Sequence, residues 1–278
     1  MTSNHSTPRD EGRWTNTAVF LPEPERHDGT AALWHVEIDL DRHRELRNQL
    51  VNGQPTVPIA SLVQIAAEAA VSFAPELAPV RYTDLQLSRL LRAPAARWPR
   101  RIDVIATRTG ETVHVCIDSP SVNAVPTVEY ARMTVHLGVP DTPEAEDWHD
   151  VEPPAHPSLI DHRFDGYLLP GDALDALLRT AAPPESITSL RSIDIPVPAD
   201  DRELARLLGA HVDLRHYSTP DGERYTATTA DGTVLVRLEG VTSSSPDLAT
   251  MRRHRTGAKT PGRAADRKRP ARGARDGG

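Results

Sequence analysis

The sequence predicts an α+β fold in which two long central helices are each wrapped by a curved antiparallel β-sheet. Three observations carry this expectation. A helix with an apolar face followed by a series of strand-like segments occurs twice, the first time after an alternating segment. The same landmarks, a Leu, a Gly and a Pro, precede each helix. Turn signals at Gly110-Glu111, "PDG" and "ADG" separate the later segments as hairpin turns do.

Residues 1–15 read as a disordered N-terminus, and the first repeat is expected over 16–140. Ala32–Leu40, "ALWHVEIDL", alternates as a half-buried strand does. Ile59–Phe73 places Ile59, Leu62, Val63, Ala66, Ala67 and Ala70 on one helical face, and Pro58 just ahead suits a helix start. "RYTDLQLSRLL", "RIDVIATR", "ETVHVCIDS" and "TVEYARMTVHLG" then read as strands. The Pro- and acid-rich stretch ending at Pro157 reads as a linker over 141–157.

A second repeat is expected over 158–246. Its helix is Asp172–Ala182, with Leu174, Leu177 and Leu178 on one face, and "SLRSIDIPVP", "AHVDLRHYS", "ERYTATTA" and "TVLVRLEGVTSS" are its strands. The repeats overlay with one deletion: Leu46 on Leu159, Gly53 in its segment, Pro58 on Pro170, and a following strand with Asp84 or Asp194. One sheet curved around one helix leaves an open edge, and a second copy can pair with it.

Composition narrows the class. The single cysteine, Cys116, excludes an internal disulfide framework and a cysteine-based zinc cluster, and its alternating context reads as a small buried hydrophobe. The N-terminus has no apolar stretch of the secretory kind, and the longest apolar run is too short to span a bilayer, so a cytoplasmic protein is expected with no membrane partner. The last 28 residues carry +8 against −7 for the whole chain, leaving −15 elsewhere. A disordered basic tail over 247–278 follows, solvated or holding an acidic partner. No nucleic-acid partner, cofactor or metal is expected. The His156, Asp161, His162, Asp165 group lacks a further clustered ligand.

Gly53 and Pro58 in "QLVNGQPTVP" stand at the spacing of an H-x-x-x-G-x-x-x-x-P motif, and "HPSLID" matches an HPxLLD pattern. In these motifs the chain resembles the dehydratase domains of modular polyketide synthases and their free-standing relatives, over roughly residues 31–244. The resemblance implies a double hot-dog fold. It departs from the pattern at Gln49, which stands where the motif has His. "HPSLIDHRFDGYLLPG" also resembles a stretch of A-factor-type γ-butyrolactone synthases through His156, Asp161, His162, Asp165, Pro170 and Gly171.

The first resemblance implies a His base that removes the α-proton of a 3-hydroxyacyl thioester. An acid on the partner repeat's helix protonates the departing hydroxyl, and a helix N-terminus polarises the carbonyl. Overlaying the repeats sets Gln49 with Asp175 in one composite site and His162 with Val63 or Gln64 in the other. In a competing register "HPSLID" opens the second helix and Asp161 is the acid, although that helix would run through Gly166 into Pro170. Gly53, Pro58, Gln64 and Gly171 are the expected substrate-binding positions. His162 as a loop residue, Asp172 as a helix-end charge and Asp175 as a solvated side chain stay open as plainer readings.

Arg89, Arg92, Arg97, Arg100 and Arg101 form an acid-free basic run that suits a phosphate or an acidic carrier protein, or else a charged strand edge. The expected function is a polyketide-biosynthesis enzyme acting on an acyl or polyketide chain, free or carrier-bound. Because Gln49 replaces the base, a non-standard dehydratase or a cyclase is favoured. A γ-butyrolactone-type synthase and a non-catalytic acyl-binding protein are the rivals, and a homodimer stays open.

Overall fold

The structure, a computed structural model, describes residues 18–43, 46, 49–51, 53–93, 99–120, 126–139, 156–159, 164, 167–196, 211–220 and 222–244. The expected termini, most of the linker, Arg97, Asp161, His162 and Asp165 lie outside the described residues.

The first half opens with β1 (Arg26–His27) and β2 (Ala31–Ile38). In β2, Trp34, Val36 and Ile38 are buried while His35 and Glu37 face out, the period-2 pattern of a sheet with one wet face. A small hairpin, β3 (Leu50–Val51) and β4 (Gln54–Pro55), leads into α1 (Ile59–Val71). Four long strands follow: β5 (Ala78–Leu87), β6 (Arg100–Thr109), β7 (Thr112–Asp118) and β8 (Glu129–Gly138). The second half repeats the order with β9 (His156–Leu159), α2 (Gly171–Ala181), β10 (Ile187–Asp194), β11 (His211–Thr219), β12 (Gly222–Thr228) and β13 (Val234–Glu239), closed by β14 (Thr242–Ser243).

The sheet order is β1-β2-β6-β7-β8-β5-β10-β13-β12-β11-β9, with β14 beside β10, and every pairing is antiparallel. Read from either end, the two halves have one topology. The strand before the helix lies outermost, apart from the short β1, and the strand after it lies at the seam. There β5 and β10 pair, Tyr82 opposite Ile193 and Leu85 opposite Leu190. Each half thus covers the other's open edge. α1 packs against β5, β6, β7 and β8, and α2 against β9, β11, β12 and β13. The two helices also touch each other, and one hydrophobic core runs through both halves.

Both helices begin after a proline, Pro58 or Pro170, and neither start has a side-chain cap. They differ in what they bury. All of α1 is buried, so its polar residues Ser61, Gln64 and Glu68 need partners inside the protein. α2 is amphipathic, with Asp172 in its first turn and Arg179 in its last, each suited to the helix dipole.

The structure corrects several expectations. α1 ends at Val71 rather than Phe73, and α2 starts one residue early at Gly171. His156–Leu159 is a strand paired with β11, not the opening of the second helix, so the register that makes "HPSLID" helical is overturned. This strand also begins inside the stretch read as linker. An edge strand tolerates Pro157, because proline's missing donor need not face a neighbour there. The sequence reading did not anticipate β1, β3 or β4, and it ran β13 and β14 together as one strand. Among the described residues, no helix is long and apolar enough to cross a membrane.

Candidate functional site at the two helix starts

Gln49 sits where the chain turns into the β3–β4 hairpin. Its carbonyl accepts the Thr56 N–H at 2.9 Å, and Gly53 turns the hairpin with φ +72°, a conformation that costs other residues more. The Gln49 side chain is buried, and its Oε1 has no hydrogen-bond partner. Leaving a buried amide oxygen unmatched costs on the order of 1–3 kcal/mol. The segment continues along Leu91–Ala93: Val57 donates to the Leu91 carbonyl at 2.8 Å, and Ala93 donates to the Pro55 carbonyl at 3.0 Å. α1 then starts with no acid in its first turn, so no side chain of that turn neutralises its positive end.

Asp175 lies on the second turn of α2. It is buried, not solvated, and its Oδ2 accepts the Arg179 Nε–H at 2.8 Å, one helical turn on. Asp172 is buried as well. Gly171 permits a close approach, since a Cβ there would lie 2.4 Å from the Cβ of Phe164. No hydrogen bond joins Gln49 to Asp175.

The other overlaid position, Gln64, is committed at both ends. Its Oε1 accepts the Leu168 N–H at 2.7 Å, and its Nε2 donates to Glu68 at 2.9 Å. Glu68 also accepts the backbone N–H groups of Val19, Phe20 and Leu21 at 2.8–3.3 Å. Burial pushes its carboxyl above the ordinary range, and these four donors pull it back in part. Ser61 and the Tyr167 hydroxyl share a buried hydrogen bond of 2.8 Å. Phe20 stacks on His43 and meets Tyr167 edge-on, with centroids 4.6 and 5.7 Å apart. The face of α1 towards the loop before α2 is therefore closed by a polar and aromatic network. Sequence reasoning found Gln64 by spacing but missed Ser61, Glu68 and Tyr167. Apart from the Gln64–Glu68 pair one helical turn apart, these hydrogen bonds reach partners 47 or more residues away, and several of those are backbone groups without a sequence signal.

The four described arginines of the basic run do not form one free patch. Arg101 pairs with Glu37 at 2.9 Å, and Arg100 donates to the Tyr130 hydroxyl. Strand alternation sends these two neighbours to opposite faces of β6. Arg89 and Arg92 are exposed and flank the Leu90–Leu91 pair, and Arg92 forms a backbone bridge to Thr56 of the segment that follows the Gln49 hairpin. Cys116 is half-buried rather than core. Its thiol lies 3.3 Å from Asp118 and 3.7 Å from Glu129, and burial, with those carboxylates, pushes it up to about 12. A thiol so protonated is a poor nucleophile.

No protein-family profile matches the chain, and no curated protein matches it in sequence. Solved structures do. The dehydratase domain from the CurF module of curacin polyketide synthase superposes with a TM-score of 0.61 at 15% identity, over 82% of this chain and 98% of that one. A trans-AT polyketide synthase dehydratase domain from Brevibacillus brevis gives 0.61 at 12% identity, over 84% and 99%. The CurK dehydratase domain gives 0.60 at 12%, over 83% and 99%. The chain thus shares its fold with dehydratase domains of polyketide synthases, the domains that its Gln49–Pro58 segment resembles in sequence.

Proposed function

We propose that this chain is a double hot-dog protein of dehydratase ancestry that binds an acyl or polyketide thioester, free or on an acyl carrier protein. Its chemistry is a non-standard dehydration or a ring closure. One observation carries the reading: a buried Gln49, with an unmatched Oε1, occupies the motif's His position at the entry of α1. A primary amide donates and accepts hydrogen bonds but takes no proton at neutral pH, so Gln49 cannot act as general base. It can hold a substrate hydroxyl or N–H through that free oxygen. Asp175, buried on α2 and steadied by Arg179, is the group that would face the reacting oxygen as acid or hydrogen-bond partner. The start of α1 would polarise the carbonyl. Arg89 and Arg92, exposed beside this entry, suit the phosphate of a pantetheine arm or an acidic carrier surface.

A second reading, a non-catalytic acyl-binding protein, is favoured by the same missing base. One assay separates the two. A simple 3-hydroxyacyl thioester is offered to wild type, Gln49→His and Asp175→Asn, and the native polyketide extract to wild type and Asp175→Asn. Weak dehydration by wild type that rises about 10²–10⁴-fold in Gln49→His supports the ancestry and the lost base. Strong dehydration by wild type overturns the redirected chemistry. Turnover of the extract that Asp175→Asn leaves untouched removes Asp175 from the mechanism, and no turnover of any substrate leaves the binding protein.

A further inference from the structure

Between the start of α1, the end of β5 and the start of β10 lies a cavity of about 200 Å³. Its floor is apolar: Val57, Ile59, Leu62, Leu91 and Ile187 line it, and all five are buried. Polar groups stand among the exposed lining residues, where Arg89 and Glu185 supply one charge of each sign beside the half-buried Leu90. The cavity adjoins the candidate site through the backbone. Thr56 closes the Gln49 hairpin, Val57 is the next residue, and Val57 is bonded to Leu91. Ile59 and Leu62 carry the lining into the first turn of α1. An apolar floor without a charged group suits a hydrocarbon tail and disfavours a sugar or a nucleotide, whose polar groups would lose water without replacement.

We propose that this cavity receives the distal end of the acyl chain and sets its length. The inference rests on the acyl-thioester reading above. At roughly 30 Å³ for a water-sized group, the space takes a tail of about six to eight carbons. Leu90 and Ile187 are then the specificity-determining side chains, one near the mouth and one on the floor.

The test uses the full chain and saturated acyl-pantetheine thioesters from about four to about sixteen carbons, with affinity read by calorimetry. Affinity should rise by about fourfold per methylene and level off near six to eight carbons. Leu90→Trp should move the levelling point to shorter chains, and Ile187→Ala to longer ones. Ile105→Trp, on the exposed outer face of β6, should leave it in place. Thermal melts of each variant separate a filled cavity from a failed fold. Affinity that climbs through the longest chain, or a levelling point that both cavity variants leave unmoved, overturns the length role while thioester binding still stands. Binding of no thioester at all overturns the acyl reading with it. The proposal survives loss of the catalytic reading, because the measurement needs no turnover.

Discussion

The two helix starts have one topology and opposite finish. At α1, the face that receives the loop before α2 is bonded shut. Gln64 reaches Leu168, Ser61 reaches Tyr167, and Glu68 gathers three backbone donors from Val19–Leu21. At the Gln49 hairpin, a buried amide oxygen is left without a partner, and on α2 the buried Asp175 accepts from Arg179 of its own helix. Duplication supplies two equivalent positions, but a protein needs only one as a working site. The other can be converted into structure, since satisfied buried polar networks rigidify and specify a core. An unmatched buried polar atom, by contrast, is a cost with no structural return, and a ligand is a natural account of it.

The largest effect that sharpens this contrast is on folding. Glu68→Ala removes the acceptor for three backbone N–H groups and for Gln64 in a buried setting. It should destabilise the protein by on the order of 3–5 kcal/mol in denaturant titration and deprotect the amides of Val19–Leu21 to hydrogen exchange. Gln49→His should change stability far less, because no hydrogen bond is lost from the side-chain oxygen. Equal losses from the two variants would erase the distinction between a closed side and an open one.

Much of this architecture was legible in the sequence. The apolar period of α1, Pro58 ahead of it, and turn glycines such as Gly110 (φ +62°) and Gly232 (φ +86°) are local signals, and the structure follows them. What was not legible depends on distant partners. Two-residue strands such as β3 and β4 exist only because the chain folds back on itself at Gly53. The first half of β9 reads as linker because Pro157 lacks the N–H that an inner strand would use, a lack that a sheet edge tolerates. At the site, motif spacing points to Gln49 and Gln64 alike. It does not reveal that one amide is bonded at both ends and the other only through its backbone.

A smaller effect concerns pH. The carboxyl of Glu68 is raised in the folded state, chiefly by burial, above its ordinary 4.5. A raised carboxyl means that the folded state holds its proton more tightly than the unfolded chain. The stability it contributes is full below about 4.5 and declines as pH rises through the folded value. Wild type should therefore lose stability relative to Glu68→Gln as pH climbs from about 4.5 towards neutrality, because the amide does not titrate. A difference curve that is flat or rises over this window would mean that the four donors outweigh burial. The closed side would then be anchored by a charge, not by a neutral acid.

The smallest expected effect tests the open side through Arg179. Its pairing with Asp175 spans one helical turn, with the acid nearer the N-terminus, the favourable orientation, and about half of the arginine side chain is exposed. An exposed partner contributes little on its own, so Arg179→Ala should cost about 0.5–1 kcal/mol in stability, the upper part reflecting the buried carboxylate left behind. If the pair were only a helix brace, activity should fall no further than the folded fraction does. If Arg179 instead holds Asp175 for the reaction, turnover should drop well beyond the stability loss. Arg179→Lys, which keeps the charge but not the planar fork, should then restore only part of the rate. Turnover in Arg179→Ala that only tracks the folded fraction would remove Arg179 from the positioning of Asp175. The open side would then owe its character to Gln49 and its unmatched oxygen.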